Sequence, residues 1–143
     1  MSKTRCVSAT RLIAASAPKI FDLLATPAQH VLLDGSGTVT GVRRGPTRLA
    51  LGSSFSMDMK IGLGYHTTNR VVVFEENSCI AWHHFAQFVW RYDLVEVDGG
   101  TQVTESFNYD KPWAFVITAL GFPERNRLGM EATLQRLANA VTA

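Results

Sequence analysis

Cysteine is scarce in this sequence. Cys6 and Cys79 are the two among 143 residues, with no CxxC pair and no histidine at ligand spacing beside either. Two isolated thiols make neither a disulfide framework nor a metal cage, so both are read as reduced thiols of a cytoplasmic protein. Long apolar runs are missing too. The longest, residues 113–120, is interrupted by Thr118 and falls well short of the ~20 residues that a bilayer span needs. No basic amino-terminal segment leads into an apolar stretch, and the expectation is a soluble chain without membrane insertion.

An excess of one charge is also absent. Fourteen Lys+Arg against twelve Asp+Glu leave a net charge of +2, and the basic residues are dispersed apart from Arg43-Arg44 and Arg125/Arg127. That is no phosphate-tracking stripe, so nucleic acid is not an expected partner. Gly35-Ser36-Gly37 invites comparison with a phosphate loop, but the third glycine is Gly41, after Thr40, and the GxGxxG spacing fails. His30 and His66 are scattered, no HExxH or Cys/His cluster exists, and no GxSxG elbow marks a nucleophile. No metal and no cofactor is implied.

The chain is 46% hydrophobic and 18% charged. At this size the folded surface is about 7,300 Å² against roughly 23,000 Å² for the open chain, enough burial for one domain over residues 1–143 without a staple.

Patterning then orders the elements. An apolar/polar run over residues 7–14 reads as a strand. Ser16, Ala17 and Pro18 supply cap and first-turn chemistry for a helix carrying Ile20, Phe21 and Leu24 on one side. Thr26-Pro27 repeats that arrangement for a second short helix to about Leu32, and Asp34-Gly35-Ser36-Gly37 forms a turn. Residues 38–110 then show period two, broken at Gly45-Pro46, residues 62–64, Glu76-Asn77 and Asp98-Gly99-Gly100, which gives six more strands. In one of them Phe55, Met57, Met59 and Ile61 share a dry face, opposite a wet face of Ser54, Ser56, Asp58 and Lys60. Residues 88–97 and 101–109 flank the glycine turn as a hairpin. Finally Met130, Leu134, Leu137 and Val141 recur at helical spacing in the longest helix, which Gly121 and Pro123 should kink or break near its start. This order is an α+β domain with a helix laid on one face of a strongly twisted sheet.

At this point the sequence resembles the SRPBCC or START-like superfamily of helix-grip domains, in its polyketide cyclase/dehydrase-like branch, over roughly residues 7–142. The likeness rests on the element order and on Ala17-Pro18 with Phe21, Asp34-Gly35-Ser36-Gly37-Thr38-Val39, Trp90-Arg91-Tyr92, and Asp98-Gly99-Gly100-Thr101 followed by Val103-Thr104-Glu105-Ser106-Phe107. Gly121-Phe122-Pro123, Asn126-Arg127 and Met130-Glu131-Ala132-Thr133-Leu134 extend it. The resemblance implies a curved seven-stranded antiparallel sheet wrapped around a long C-terminal helix, two short helices after the first strand, and a cavity between sheet and helix of the kind used for lipids, sterols, plant hormones and polyketides. It transfers no catalytic motif.

Within that space Glu105 is the most informative residue. Alternation with Val103, Phe107 and Tyr109 points its carboxylate to their face, where it must find a partner, stay protonated or meet water. It is either a cavity anchor or general base, or a strand-end residue reaching solvent or an arginine. His84 follows the parity of Ile80 and Trp82 and should look inward, opposite to His83, as a proton shuttle or a satisfied wall residue. Trp82, Trp90, Tyr92 and Tyr109, with Phe107, form a cage wall or fill the core. Met57 and Met59 offer adaptable surface, or plain gap filling. Leu134 faces them from the long helix. Trp113, Phe115, Val116 and Leu120 mark a buried segment, a pocket lid or the contact of a homodimer.

The expected function is binding of a small hydrophobic or aromatic molecule between sheet and C-terminal helix, entered near residues 62–65 and the 113–121 segment. The alternatives are a cyclase or dehydrase in which Glu105 or His84 moves protons, and an interaction scaffold with a filled core.

Overall fold

The computed structural model describes residues 6–35, 39–61, 63–83, 88–112 and 122–142. In chain order these form β1 (Cys6–Ile13), α1 (Ala17–Leu24), α2 (Pro27–Leu33), β2 (Val39–Arg44), β3 (Ser54–Ile61), β4 (Leu63–Glu75), β5 (Cys79–His83), β6 (Val89–Val97), β7 (Gly100–Asn108) and α3 (Phe122–Thr142). The strands make one antiparallel sheet in the order β1-β7-β6-β5-β4-β3-β2. Consecutive strands from β2 to β7 are neighbours, and β1 closes onto β7 from the other end of the sequence.

Period two explains the sheet's two faces. Along β7, Thr101, Val103, Glu105 and Phe107 are buried and alternate with less buried residues. The helix α3 covers this face, chiefly against β1 and β7. Its stripe of Met130, Leu134, Leu137 and Val141 is buried throughout. Four such side chains withdrawn from water contribute about 1.5–3 kcal/mol each before the entropy of ordering them. Among the described residues no helix is long and apolar enough to cross a membrane.

The β6–β7 hairpin depends on glycine at two points. Gly99 takes φ +90° in the tight turn, and Gly100 takes φ +147° with its α-carbon pressed against β1. A Cβ on Gly100 would meet the carbonyl of Ile13 and the backbone of Ala14. The adjoining Thr101 hydroxyl donates to the Ala15 carbonyl at 2.7 Å, fixing where β1 stops.

Several local expectations need correction. Ser16 and Thr26 stand at the N-caps of α1 and α2, yet neither side chain caps its helix. The Ala17 amide donates instead to Glu96 Oε1 of β6 at 3.2 Å, and the Thr26 hydroxyl turns back to the Asp22 carbonyl at 2.6 Å. A carboxylate from the sheet takes over the helix-end role at α1, where it also answers the positive end of the helix dipole. Ser56, assigned to the wet face of β3, is buried, because its hydroxyl pairs with that of Thr68 on β4 at 3.1 Å. The break expected over 62–64 does separate β3 from β4, although β4 already begins at Leu63. Pro123 lies in the first turn of α3, where a missing amide costs no helical hydrogen bond, and the described helix continues from there. The helical piece expected before it, with Gly121, lies outside the described residues. Cys6 is exposed and Cys79 buried, both free; burial, assisted by Asp93, pushes the Cys79 thiol up to about 11.

Gly100→Ala is expected to lose about 2–3 kcal/mol of unfolding free energy in urea titrations, through clash and backbone strain together. A loss under about 0.5 kcal/mol would show that the β1–β7 junction yields.

Candidate functional site

Register places the site's side chains. Each residue of β7 from Thr101 to Asn108 stands between a partner on β1 and one on β6, so three neighbours share a face. Phe107 stands between Val7 and Trp90, Glu105 between Ala9 and Tyr92, and Val103 between Arg11 and Leu94. The next strand continues these rows, with Trp82 of β5 opposite Trp90 and Ile80 opposite Tyr92.

The apolar core around them is divided. One cluster holds Phe55, Met57, Trp82, Tyr92, Val103, Leu134 and Leu137; a second holds Phe88, Phe107 and Met130, with Tyr109 packed against it, and Ala9 and Trp90 pack against both. Ring contacts follow that division. Trp82 meets Phe55 at 5.4 Å and Tyr92 at 5.8 Å, while Phe107 meets Trp90 at 4.8 Å and stacks on Tyr109 at 5.7 Å. Glu105 sits between Val103 of the first cluster and Phe107 of the second.

Glu105 is 3% exposed. Tyr92 stands directly opposite on β6, and Glu105 Oε1 is buried without a hydrogen-bond partner among the described residues. Burial pushes the carboxyl up to about 8; Tyr92 pulls it down, and the negative charge of Asp34 pushes it up further. At neutral pH Glu105 is therefore predominantly a neutral acid. Burial also holds the Tyr92 phenol well above its usual range, with the Glu105 charge adding to the effect.

The opposite wall comes from α2 and the turn after it. The ring of His30 stacks on Trp82 at 5.3 Å and meets Phe55 edge-on at 5.7 Å. Its Nε2 lies 2.7 Å from the Leu24 carbonyl, a contact that makes Nε2 the donor. Burial lowers its pKa, opposed by the Leu24 carbonyl and by Asp34, so the ring is neutral at pH 7. Asp34 Oδ2 accepts the Val39 amide at 2.9 Å. The same turn is pinned to α3: the Gly35 amide donates to Thr133 Oγ1 at 2.8 Å, and Arg136 donates to the Asp34 carbonyl at 3.0 Å. A Cβ on Gly35 would collide with Ala132 and Thr133, so only glycine lets the turn lie so close to α3.

Of the residues picked out from the sequence, Met57, Trp82, Tyr92, Glu105, Phe107 and Leu134 are buried, and Met59, Trp90 and Tyr109 are half-buried. His84 and Trp113 lie outside the described residues, as do Gly62 and the 113–121 segment expected at the entrance. Near that expected entrance Leu63 is 83% exposed and Tyr65 41%. The histidine spacing gives His30 no metal-site signal. The signal that finds it is the spacing from Pro27 to His30 to Leu33, one stripe of a short helix whose ends are both buried. A shallow open depression of about 450 Å³ elsewhere, lined by Pro18, Ser78 and Glu96, has its acid already committed to the Ala17 amide.

A family model described as polyketide cyclase / dehydrase and lipid transport matches residues 4–142. An uncharacterized protein of Mycobacterium tuberculosis, Rv0088, is 37% identical over 140 residues, covering 93% of this chain and 62% of the relative. The chain thus spans about three-fifths of the length of the curated relatives it matches. Among solved structures, protein Ms6760 of Mycobacterium smegmatis superposes with a TM-score of 0.77 at 18% identity, over 97% of this chain and 92% of that one. An AHSA1-like protein of Aeromonas hydrophila gives 0.72 at 14% identity, over 96% and 92%. These two likenesses show the helix-grip fold.

The neutral carboxyl sets a pH dependence whose sign follows from proton counting. With a folded value near 8 against 4.5 for the ordinary group, the folded chain binds more protons than the unfolded chain between those values, so this residue's contribution falls as pH rises. From pH 5 to pH 9 the wild type is expected to lose about 4 kcal/mol relative to Glu105→Gln, which has no proton to release. Parallel pH profiles of the two proteins in urea unfolding would contradict it.

Proposed function

We propose, on the premise that the chain belongs to the polyketide cyclase/dehydrase and lipid transport family of the SRPBCC-type superfamily, that it binds a small hydrophobic or aromatic molecule between sheet and α3. The observation that carries this reading is the orphaned Glu105 Oε1, held between two apolar clusters. A buried polar atom without a partner costs about 1–3 kcal/mol, which a guest's polar group would recover. Trp82, Trp90 and Phe107 provide ring faces for such a guest, with Met57 and Met59 as adaptable surface.

A second reading, as a cyclase or dehydrase, is favoured by one specific feature. A carboxylic acid with a value of about 8 keeps its proton at neutral pH and can deliver it to a carbonyl or a leaving hydroxyl. On that reading turnover falls as pH rises through about 8, and Glu105→Gln abolishes turnover while retaining affinity. The third reading, a scaffold with a filled core, predicts that nothing binds.

Native mass spectrometry of the freshly purified chain is expected to show a mass increment that disappears on organic extraction. Quenching of tryptophan emission by added naphthalene derivatives is expected to saturate at one molecule per chain. A ligand-free spectrum together with no saturable quenching would leave the scaffold.

A further inference from the structure

The orphaned oxygen says something about the guest's chemistry. We propose that the Glu105 site selects an uncharged ligand carrying a hydrogen-bond acceptor such as a ketone, ester or quinone carbonyl, and discriminates against the carboxylate form of the same skeleton. This inference rests on the binding reading above and deepens it.

The argument starts from donor counting. A neutral carboxyl owns one O–H, and it also accepts. Tyr92, directly opposite across β6 and β7, keeps its own O–H, and its effect on Glu105 favours the ionised acid, so it does not serve as acceptor for the acid's proton. What is left over is the acid's own proton. Oε1 is buried and has no acceptor for it among the described residues. A ligand that brings an acceptor gives the Glu105 O–H its partner. A ligand that brings only C–H leaves the deficit in place.

Charge decides the second half. The ionised group that acts on both Glu105 and Tyr92 is Asp34, itself an acid. The inward side chains of α3 are Met130, Leu134 and Leu137, Ala9 stands beside Glu105 on β1, and His30 on α2 is neutral. An anionic guest would surrender its hydration to a site on which Asp34 acts with the same sign, and among the described residues no cation acts on Glu105 in compensation. Fatty acids in their carboxylate form are thereby disfavoured, although their esters are not.

Three probes of one skeleton test this by tryptophan quenching at pH 7: methyl 2-naphthoate, 2-naphthoate and 2-isopropylnaphthalene. The wild type is expected to bind the ester about tenfold or more tightly than either of the others. Glu105→Leu, checked for folding by circular dichroism, should drop the ester to the affinity of the hydrocarbon. Glu105→Gln should keep the ester preference, because its amide N–H donates where the acid O–H did. From pH 7 to 9.5 ester affinity should fall about tenfold in the wild type, as Glu105 loses its proton, and stay level in Glu105→Gln. Tyr92, held well above its usual range, keeps its proton across that window. Equal binding of all three probes, or tightest binding of 2-naphthoate, overturns this selectivity while leaving the binding module intact. Saturable binding of none of them overturns the module itself, and the selectivity with it.

Discussion

The burial of the Glu105 carboxyl opposite Tyr92, on a dry sheet face, is the constraint around which the molecule is arranged. An ionised carboxylate would not remain there without a counter-charge, so the acid keeps its proton and the phenol opposite keeps its own. That arrangement exists only in one strand register. A slip of one residue between β6 and β7 would turn Glu105 outward and put Thr104 in its place. The register is held at one end by the Asp98-Gly99 turn and by Gly100 seated against Ile13, and along its length by β1 on the far side of β7. Backbone geometry at two glycines thus fixes the chemistry of a carboxyl several residues away.

The second wall is built by different physics. Helix α2 is two turns long and has little stability of its own. It is held by tertiary contacts: His30 packed on Trp82 and hydrogen-bonded to Leu24, and the Asp34-Gly35 turn fastened to Thr133 and Arg136 of α3. The same turn brings the charge of Asp34 to bear on Glu105, Tyr92 and His30. Position and electrostatics come from one short segment.

Much of this was readable from residue order, for identifiable reasons. Strict alternation in residues 101–109 put Glu105 among inward residues, and the Asp98-Gly99-Gly100 turn set its partner strand. The four-three-four spacing of Met130, Leu134, Leu137 and Val141 identified the covering helix. Several misreadings involve partners distant in sequence. Ser16 and Thr26 are good capping residues locally, but Glu96, 79 positions from Ala17 along the chain, satisfies α1 instead. Ser56 looks like a surface residue until Thr68 is placed opposite it. His30 carries no metal-site spacing; its role comes from Trp82, on the fifth strand of the sheet. The division of the core into two clusters is likewise a property of three-dimensional packing, with no counterpart in the linear pattern.

A neutral, buried acid is the claim that the binding, selectivity and proton-transfer readings share. Its most direct measurement is a carbon-13 NMR titration of side-chain carboxyls, with the Glu105 resonance identified by its loss in Glu105→Gln. The account predicts a midpoint near 8 for that resonance. A midpoint at the ordinary carboxylate value of about 4.3 would place the group in water or against a cation, and would contradict the account at its base.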